Sequence, residues 1–289
     1  MAKEREYTIG EENNHCYFQD FEGINEFADY LEKNEFTSEW LQTFEGRYVL
    51  SKLQKDEYDR SDARFRGVSG YSDAKNKLLN GTNVREIKRA RAASLTTDRP
   101  KAARGVCGGV PIVPSYLSGN PMSMMTLKPR PERRSLRIFV DCAMPSRVRA
   151  SEITRAGEKI VAALAKVDAI ANYDLVAGSV TYDYWDTHNI YGLGITIKTA
   201  GKPFSASRVS FCLTSPAFLR VFEFMWDGKN HNIKPMEGFG RSLSHAKPGI
   251  YRELIEKHHA NTIVIPLEYV VEQGEYYINK KFKEAGIQL

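Results

Sequence analysis

The sequence has no long apolar run and no closely spaced cysteines. No stretch approaches the roughly 18 apolar residues that a membrane-spanning helix needs. The first residues are charged where a secretory signal would be apolar. The four cysteines lie far apart and form no C-x-x-C pair. We therefore expect a cytoplasmic protein with free thiols, no membrane association and no structural zinc site.

The common catalytic motifs are also missing. The glycines of Gly105-x-x-Gly108-Gly109 are not followed by Lys and Ser or Thr, so they do not form a Walker loop. No G-x-S-x-G elbow occurs, and no two of the six histidines have the spacing of H-E-x-x-H. We predict a protein that is not an enzyme and uses no cofactor. Asp183 and Asp186 beside Trp185 keep a metal-dependent hydrolase open as an alternative.

Charge is sorted along the chain. Residues 1–70 carry a net charge of −7, residues 71–150 carry +11, and residues 151–289 carry +1. The overall charge of +5 therefore conceals an acidic head and a basic middle. Such asymmetry favours a polyanionic partner for the basic segment. The alternative is that this segment pairs with the protein's own acidic residues or with an acidic protein.

The basic middle contains the residues that we predict to bind nucleic acid. Guanidinium groups pair with phosphate oxygens and stay charged, and several such contacts make binding sensitive to salt. Tyr71 and Tyr116 lie near these cations and are candidate stacking platforms for single-stranded bases. The predicted cations are Arg85, Lys88, Arg89, Arg91, Arg99, Lys101 and Arg104 in one cluster, and Lys128, Arg130, Arg133, Arg134 and Arg137 in a second.

The first 104 residues are predicted to be a helical head followed by the basic segment. The helical region is predicted to begin at residue 17, because apolar residues from Phe18 and Phe21 to Leu31 recur at three- and four-residue spacing. Further helices are predicted over 39–53 and 72–93, with Asn80-Gly81 as a break. Residues 55–70 are predicted to be a loop. Short extended pieces are expected at 110–113 and 116–117, within a segment rich in glycine and proline.

Residues 105–289 alternate between strand and helix patterns. The pattern predicts an α/β domain, because buried strands alternate with amphipathic helices. The glycines of Gly192-x-Gly194 fall within a strand and indicate close packing, and His258-His259 at a helix end is interpreted as structural. The predicted strands are 136–142, 174–184, 192–199 and 262–270, and the predicted helices are 150–171, 205–213, 216–225, 249–259 and 272–285. A turn at His188-Asn189 is expected to join the second and third of these strands as a hairpin.

This part of the chain resembles phage-encoded proteins with a von Willebrand factor A-like domain. The resemblance is carried by VPSYLSGNPMSMM (113–125), by the strand LRIFVDC (136–142) and by RVSFCLTSPAFLRVFEF (208–224). It covers roughly residues 105–289. It implies a doubly wound sheet with an antiparallel edge strand, to which residues 1–104 add a helical extension.

The resemblance also implies a place for a metal ion, but the ligands are incomplete. The family's Asp-x-Ser-x-Ser loop supplies a carboxylate and two hydroxyls to Mg²⁺. In this sequence Asp141 is present, whereas Ala143 and Pro145 stand at the serine positions. Asp141 is therefore only a weak metal candidate, and the alternative is that it braces its loop.

These observations together predict a phage adaptor in the host cytoplasm. We expect it to bind nucleic acid, single-stranded DNA in particular, through the basic segment, and to dock a transcription or replication protein such as a polymerase. The alternative is a von Willebrand A-like partner of an AAA+ ATPase. The pattern leaves the oligomeric state open.

Overall fold

A six-stranded mixed sheet with helices packed against it organises the computed structural model. The structure describes residues 2–10, 13–33, 38–82, 102–105, 110–122, 124–127, 135–182, 188–231 and 242–289. The strands are β1 (Lys3–Ile9), β2 (Asn14–Phe21), β3 (Ala102–Gly105), β4 (Val110–Pro111), β5 (Met124–Leu127), β6 (Ser135–Asp141), β7 (Asn172–Tyr182), β8 (Asn189–Lys198) and β9 (Thr262–Pro266). The large sheet has the order β1-β2-β8-β7-β6-β9, and a small sheet has the order β3-β5-β4.

The described helices are distributed along the whole chain. None of them is long and apolar enough to cross a membrane. They are α1 (Ile24–Glu32), α2 (Glu39–Gln42), α3 (Phe44–Leu53), α4 (Arg60–Arg66), α5 (Tyr71–Asn80), α6 (Val113–Leu117), α7 (Ala150–Ile170), α8 (Ala206–Thr214), a π-helix (Phe218–Glu223), α9 (Phe224–Asn230), α10 (Leu243–Ala246), α11 (Pro248–His258), α12 (Leu267–Gln273) and α13 (Glu275–Glu284).

The large sheet combines parallel and antiparallel pairs. β6 is parallel to both of its neighbours, β7 and β9, and β2 is parallel to β8. The β7–β8 and β1–β2 pairs are antiparallel. The predicted α/β class and the predicted β7–β8 hairpin are therefore confirmed. Both predicted segments, 1–104 and 105–289, contribute strands to this one sheet.

The prediction that the chain is helical from residue 17 is wrong for its first residues. Phe18 and Phe21 lie in β2, and the helix α1 begins only at Ile24. β2 is buried on both faces: Phe18 packs in the cluster that contains Phe139, and Phe21 packs in the cluster that contains Phe27. A strand that is buried on both faces has apolar residues at successive positions. The spacing of apolar residues then does not distinguish the strand from a buried helix.

Three shorter predictions are also wrong. The predicted loop 55–70 contains α4, whose N-cap Asp59 accepts hydrogen bonds from the amides of Ser61 and Asp62. Residues 116–117 belong to a helix, α6, whose first turn contains a proline. The strand predicted over 262–270 ends at Pro266, and α12 follows at once. The break predicted at Asn80-Gly81 is confirmed by the end of α5; residues 83–93 lie outside the described residues.

Close packing of α7 against α8 depends on a glycine. A Cβ atom added at Gly157 would lie 1.9 Å from the carbonyl oxygen of Leu213. The contact is with backbone, so a side chain at this position would have to push the two helices apart. By contrast, a Cβ atom at Gly249, in the first turn of α11, has nothing within 4 Å.

We predict that Gly157→Ala lowers the free energy of unfolding, whereas Gly249→Ala leaves it unchanged or raises it. Overpacking at a helix contact costs about 1–3 kcal/mol, while alanine is favoured over glycine in helices by up to about 1 kcal/mol. Urea denaturation of both variants measures this difference. Equal stability of the two variants would contradict the packing role of Gly157.

Candidate functional site

The carboxyl ends of three parallel strands meet at one edge of the large sheet. In the register of the sheet, Asp141 at the end of β6 is opposite Gly178 of β7 and Pro266 of β9. β7, the next strand in the chain, lies on one side of β6 in the sheet, and β9 lies on its other side, so the order of the strands reverses at β6. Such a switch point is where open α/β sheets generally bind ligands. We call this region, with the residues that follow β6 and β9, the carboxyl edge.

Asp141 is completely buried at the carboxyl edge and braces its loop. Its Oδ1 atom accepts hydrogen bonds from the amides of Ala143, at 3.0 Å, and of Val180, at 3.3 Å. The carboxyl group thereby joins the loop after β6 to the strand β7. Its second oxygen, Oδ2, accepts no hydrogen bond from the described residues.

Burial raises the pKa of Asp141 to about 7. The two amides and the nearby Tyr251 hydroxyl oppose this shift, and the charge of Glu268 adds to it. Burial also raises the pKa values of Glu223 and Asp227, which lie in the π-helix and α9, well above the usual range. The core below the carboxyl edge therefore favours protonated carboxyl groups.

Three ionisable side chains converge on the surface of the same edge. His245 of α10 and Glu268 and Glu272 of α12 each offer one ligand atom, and these atoms lie within 4.8 Å of one another. Glu268 is buried, whereas the other two side chains are exposed. Burial raises the pKa of Glu268, and the nearby His245 opposes this shift. Contact between Thr181 and Ser242 brings the segment before α10 to this edge.

Sequence reasoning missed this group of three. Glu268 and Glu272 are four residues apart, so on a helix they lie on the same face. This spacing could have indicated a pair of neighbouring carboxylates. The apolar residues around them instead predicted a strand over Glu268. The position of His245 beside them depends on how α10 packs, which has no sequence signature. The carboxylates Asp183 and Asp186 lie outside the described residues.

Most of the predicted nucleic-acid residues lie outside the described residues. Arg137 is exposed in the first half of β6, and Arg104 lies in β3. The predictions for the others stay predictions. They are Arg85, Lys88, Arg89, Arg91, Arg99, Lys101, Lys128, Arg130, Arg133 and Arg134.

The small sheet pairs two described residues that adjoin the basic clusters in the sequence. β3 and β5 are antiparallel, and Ala102 at the start of β3 is paired with Leu127 at the end of β5. Lys101 immediately precedes that pair in the sequence and Lys128 immediately follows it. The start of β3 and the end of β5, which adjoin the two clusters in the sequence, therefore lie at the same end of the small sheet.

The two tyrosines predicted to stack on bases have different surroundings. Tyr71 is half-buried at the start of α5, with its ring 6.0 Å from that of Phe222, and burial raises its pKa to about 12. Tyr116 has an exposed fraction of 67%, and the neighbouring Leu117 has 79%. Only Tyr116 presents an open ring face of the kind that base stacking requires.

The two terminal histidines of the α11 region are structural, as predicted. The ring of His258 stacks on Phe18 at 3.8 Å and its Nε2 atom lies 3.0 Å from Asp20. His259 stacks on Phe139 at 4.4 Å, and burial lowers its pKa to about 2. Cys16, Cys142 and Cys212 are free and buried, and Cys107 lies outside the described residues.

Comparison with known proteins identifies a family. The chain matches the family described as Domain of unknown function (DUF7192) over residues 6–288. The chain therefore belongs to this family. Searches of curated proteins and of solved structures gave no match.

We predict that Asp141→Asn is more stable than the wild-type protein above pH 7. A folded-state pKa near 7 means that folding takes up a proton between pH 4 and 7. The contribution of this group to stability thus falls as the pH rises through that range, by up to about 4 kcal/mol at about 1.4 kcal/mol per pKa unit. Asparagine keeps the oxygen that accepts both amides and never ionises.

The measurement is chemical denaturation of both proteins at a series of pH values from 4 to 8.5. His231 and His259, whose pKa values burial lowers, have the opposite effect on stability, but they are common to both proteins and cancel in the difference. A difference in stability that does not change with pH would show that Asp141 is ionised throughout.

Proposed function

We propose that this protein is a non-enzymatic adaptor that binds single-stranded nucleic acid through its basic segment and docks a protein partner. The single observation that supports it best is the register of the small sheet. Ala102 is paired with Leu127, and Lys101 and Lys128 are the next residues in the sequence, so we expect the two cationic clusters to start from the same end of the small sheet. A combined cluster can neutralise more phosphates than either cluster alone, which raises the affinity.

The opposite end of the small sheet carries apolar and aromatic side chains. Gly105 and Pro111 are both paired with Met124 there, and α6 follows Pro111 almost at once. In α6 the side chains of Tyr116 and Leu117 are exposed. Four residues of strand span about 10 Å, which is no more than the length of a few nucleotides of single strand. A single strand bound by the cations can thus reach Tyr116 with its bases.

The large sheet supplies the docking part of the proposal. We infer a von Willebrand A-like arrangement, supported by the buried Asp141 at the end of β6, the long helix α7 and the parallel β6–β7 pair. Exposed Val113 and Leu117 offer an apolar contact to a protein. A phage origin, a place in the host cytoplasm and a polymerase or replication protein as the partner are part of the same proposal.

Pairing with the protein's own acidic head is a competing role for the basic segment. Lys75 of α5 forms an ion pair with Glu32 of α1, and Lys77 pairs with Asp73 within α5. These pairs occupy the cations nearest to the head. Neither Lys75 nor Lys77 is among the cations that the proposal uses.

We predict that the protein binds labelled single-stranded DNA with an affinity that decreases steeply with salt. Fluorescence anisotropy over a salt series measures the affinity and its slope. Charge reversal of either pair, Arg89 with Arg91 or Arg133 with Arg134, is expected to weaken binding. It should also lower the slope by about 0.7 for each phosphate that the protein no longer neutralises. Reversal of both pairs is expected to abolish binding.

A matched control reverses two exposed cations outside both clusters, Arg252 and Lys280. This control variant has the same change in net charge as either single-cluster variant and is expected to bind nearly as well as the wild type. Absence of binding by the wild type at low salt would refute the proposal. An equally weakened affinity in the control would mean that only net charge matters.

We also predict that Thr126→Pro weakens binding without changing any charge. Thr126 lies in β5, the central strand of the small sheet, where proline removes ladder hydrogen bonds. Loss of the pairing would separate the two clusters. Anisotropy with the same DNA measures the effect, and circular dichroism checks that the large sheet is intact. Wild-type affinity in this variant would show that the clusters act independently of the small sheet.

A further inference from the structure

We propose that His245, Glu268 and Glu272 bind one divalent transition-metal ion, of which Zn²⁺ is the representative. The first observation is geometric. One ligand atom from each side chain lies within 4.8 Å of the other two, so a single ion placed between them can contact all three after small rotamer changes. The residues come from two helices, α10 and α12, that are separated in sequence by α11 and β9.

The second observation is independent of that spacing and concerns Glu268 alone. Its exposed fraction is 3%, and its Oε2 atom is buried without a hydrogen-bond partner among the described residues. A buried carboxylate oxygen without a partner is costly, and native proteins generally satisfy such atoms. A cation held jointly with His245 and Glu272 would satisfy it.

The two neighbours of Glu268 do not replace such a cation. The hydroxyl of Ser242 lies near the carboxylate, but it is hydrogen-bonded to Ser244 at 2.6 Å. The guanidinium of Arg147 lies 3.7 Å from the other carboxylate oxygen, Oε1, and the Arg147 side chain is 72% exposed. An exposed arginine at that distance contributes little. It also leaves Oε2, the unpartnered atom, without a contact.

The ligand chemistry indicates the class of ion. An imidazole nitrogen with two carboxylates suits Zn²⁺ and its first-row neighbours, whereas Mg²⁺ and Ca²⁺ prefer all-oxygen sites. Three protein ligands leave a coordination position for water or for a group from a bound partner. Asp141 is not part of this set, because its Oδ1 atom already accepts two backbone amides.

His245, Glu268 and Glu272 lie at the carboxyl edge, where the large sheet fixes the position of one of the three ligands. Glu268 follows the end of β9 by two residues, next to the end of β6 in the sheet. The buried Glu268 is therefore positioned by the sheet, and the exposed His245 and Glu272 close over the ion from the surface.

The test is isothermal titration of the chelator-treated full chain with ZnCl₂. The expected result is one ion per chain. Replacement of outer-shell partners alone weakens metal sites by about 10- to 100-fold, so removal of a ligand in His245→Ala, Glu268→Gln or Glu272→Gln is expected to weaken binding by at least about 100-fold. Exposed residues of the same types elsewhere, in His15→Ala and Glu275→Gln, serve as matched controls that should retain wild-type affinity.

A second measurement identifies the ligands directly. Co²⁺ in the same site is expected to give visible ligand-field absorption that Zn²⁺ displaces and that His245→Ala changes. Because His245 and Glu272 are exposed, their variants are expected to keep the wild-type thermal transition without metal and to lose only the increase in Tm that Zn²⁺ causes. Absence of binding by the folded wild-type protein, or unchanged affinity in all three ligand variants, would overturn the proposal.

Discussion

The close approach of β2 to β8 is the contact on which the rest of the structure depends. A Cβ atom at Gly192 would lie 2.3 Å from the Phe18 ring, and one at Gly194 would lie 2.3 Å from Asp20. Glycine at both positions thus makes room for the side chains of β2 beside β8. The Phe18 ring then stacks on His258 of α11, so the N-terminal strands and a C-terminal helix are held in one core.

Buried polar groups of the segment 218–230 join the N-terminal helices to this core. Arg220 donates hydrogen bonds to the carbonyl oxygens of Phe65, at 2.7 Å, and Val148, at 2.6 Å. The Lys229 ammonium group donates to the carbonyl oxygen of Leu31 at the end of α1. Two of these carbonyls, of Phe65 and Leu31, lie in the last turns of α4 and α1, where the end of a helix leaves carbonyl oxygens open. Each donor also links segments that are far apart in the sequence.

The two proposed sites use different structural principles. The proposed nucleic-acid site would depend on the small antiparallel sheet, which pairs Ala102 with Leu127, the described residues next to the two basic clusters in the sequence. The metal site depends on the large sheet, which buries Glu268 and so makes a cation favourable beside it. A protein with both would couple a surface that binds a polyanion to a rigid edge of its α/β sheet.

Patterns local in the sequence predicted the local features of this protein. The sequence predicted the strand β6, the helix α7, the β7–β8 hairpin and the packing role of Gly192. Each of these features depends on residues close together in the sequence: the spacing of apolar residues, the turn residues or a glycine. The sequence also showed that acidic and basic residues are concentrated in different parts of the chain, because counting charges needs no structure.

Only the tertiary structure decided how distant segments meet. It placed Phe18 in a strand rather than in a helix, because burial on both faces of β2 arises from neighbours that the local pattern does not contain. It brought His245 to Glu268 and paired Ala102 with Leu127, since helix packing and strand register set these distances. The buried carboxyl of Asp141 braces a loop for the same reason: its partners are the amides that folding places around it.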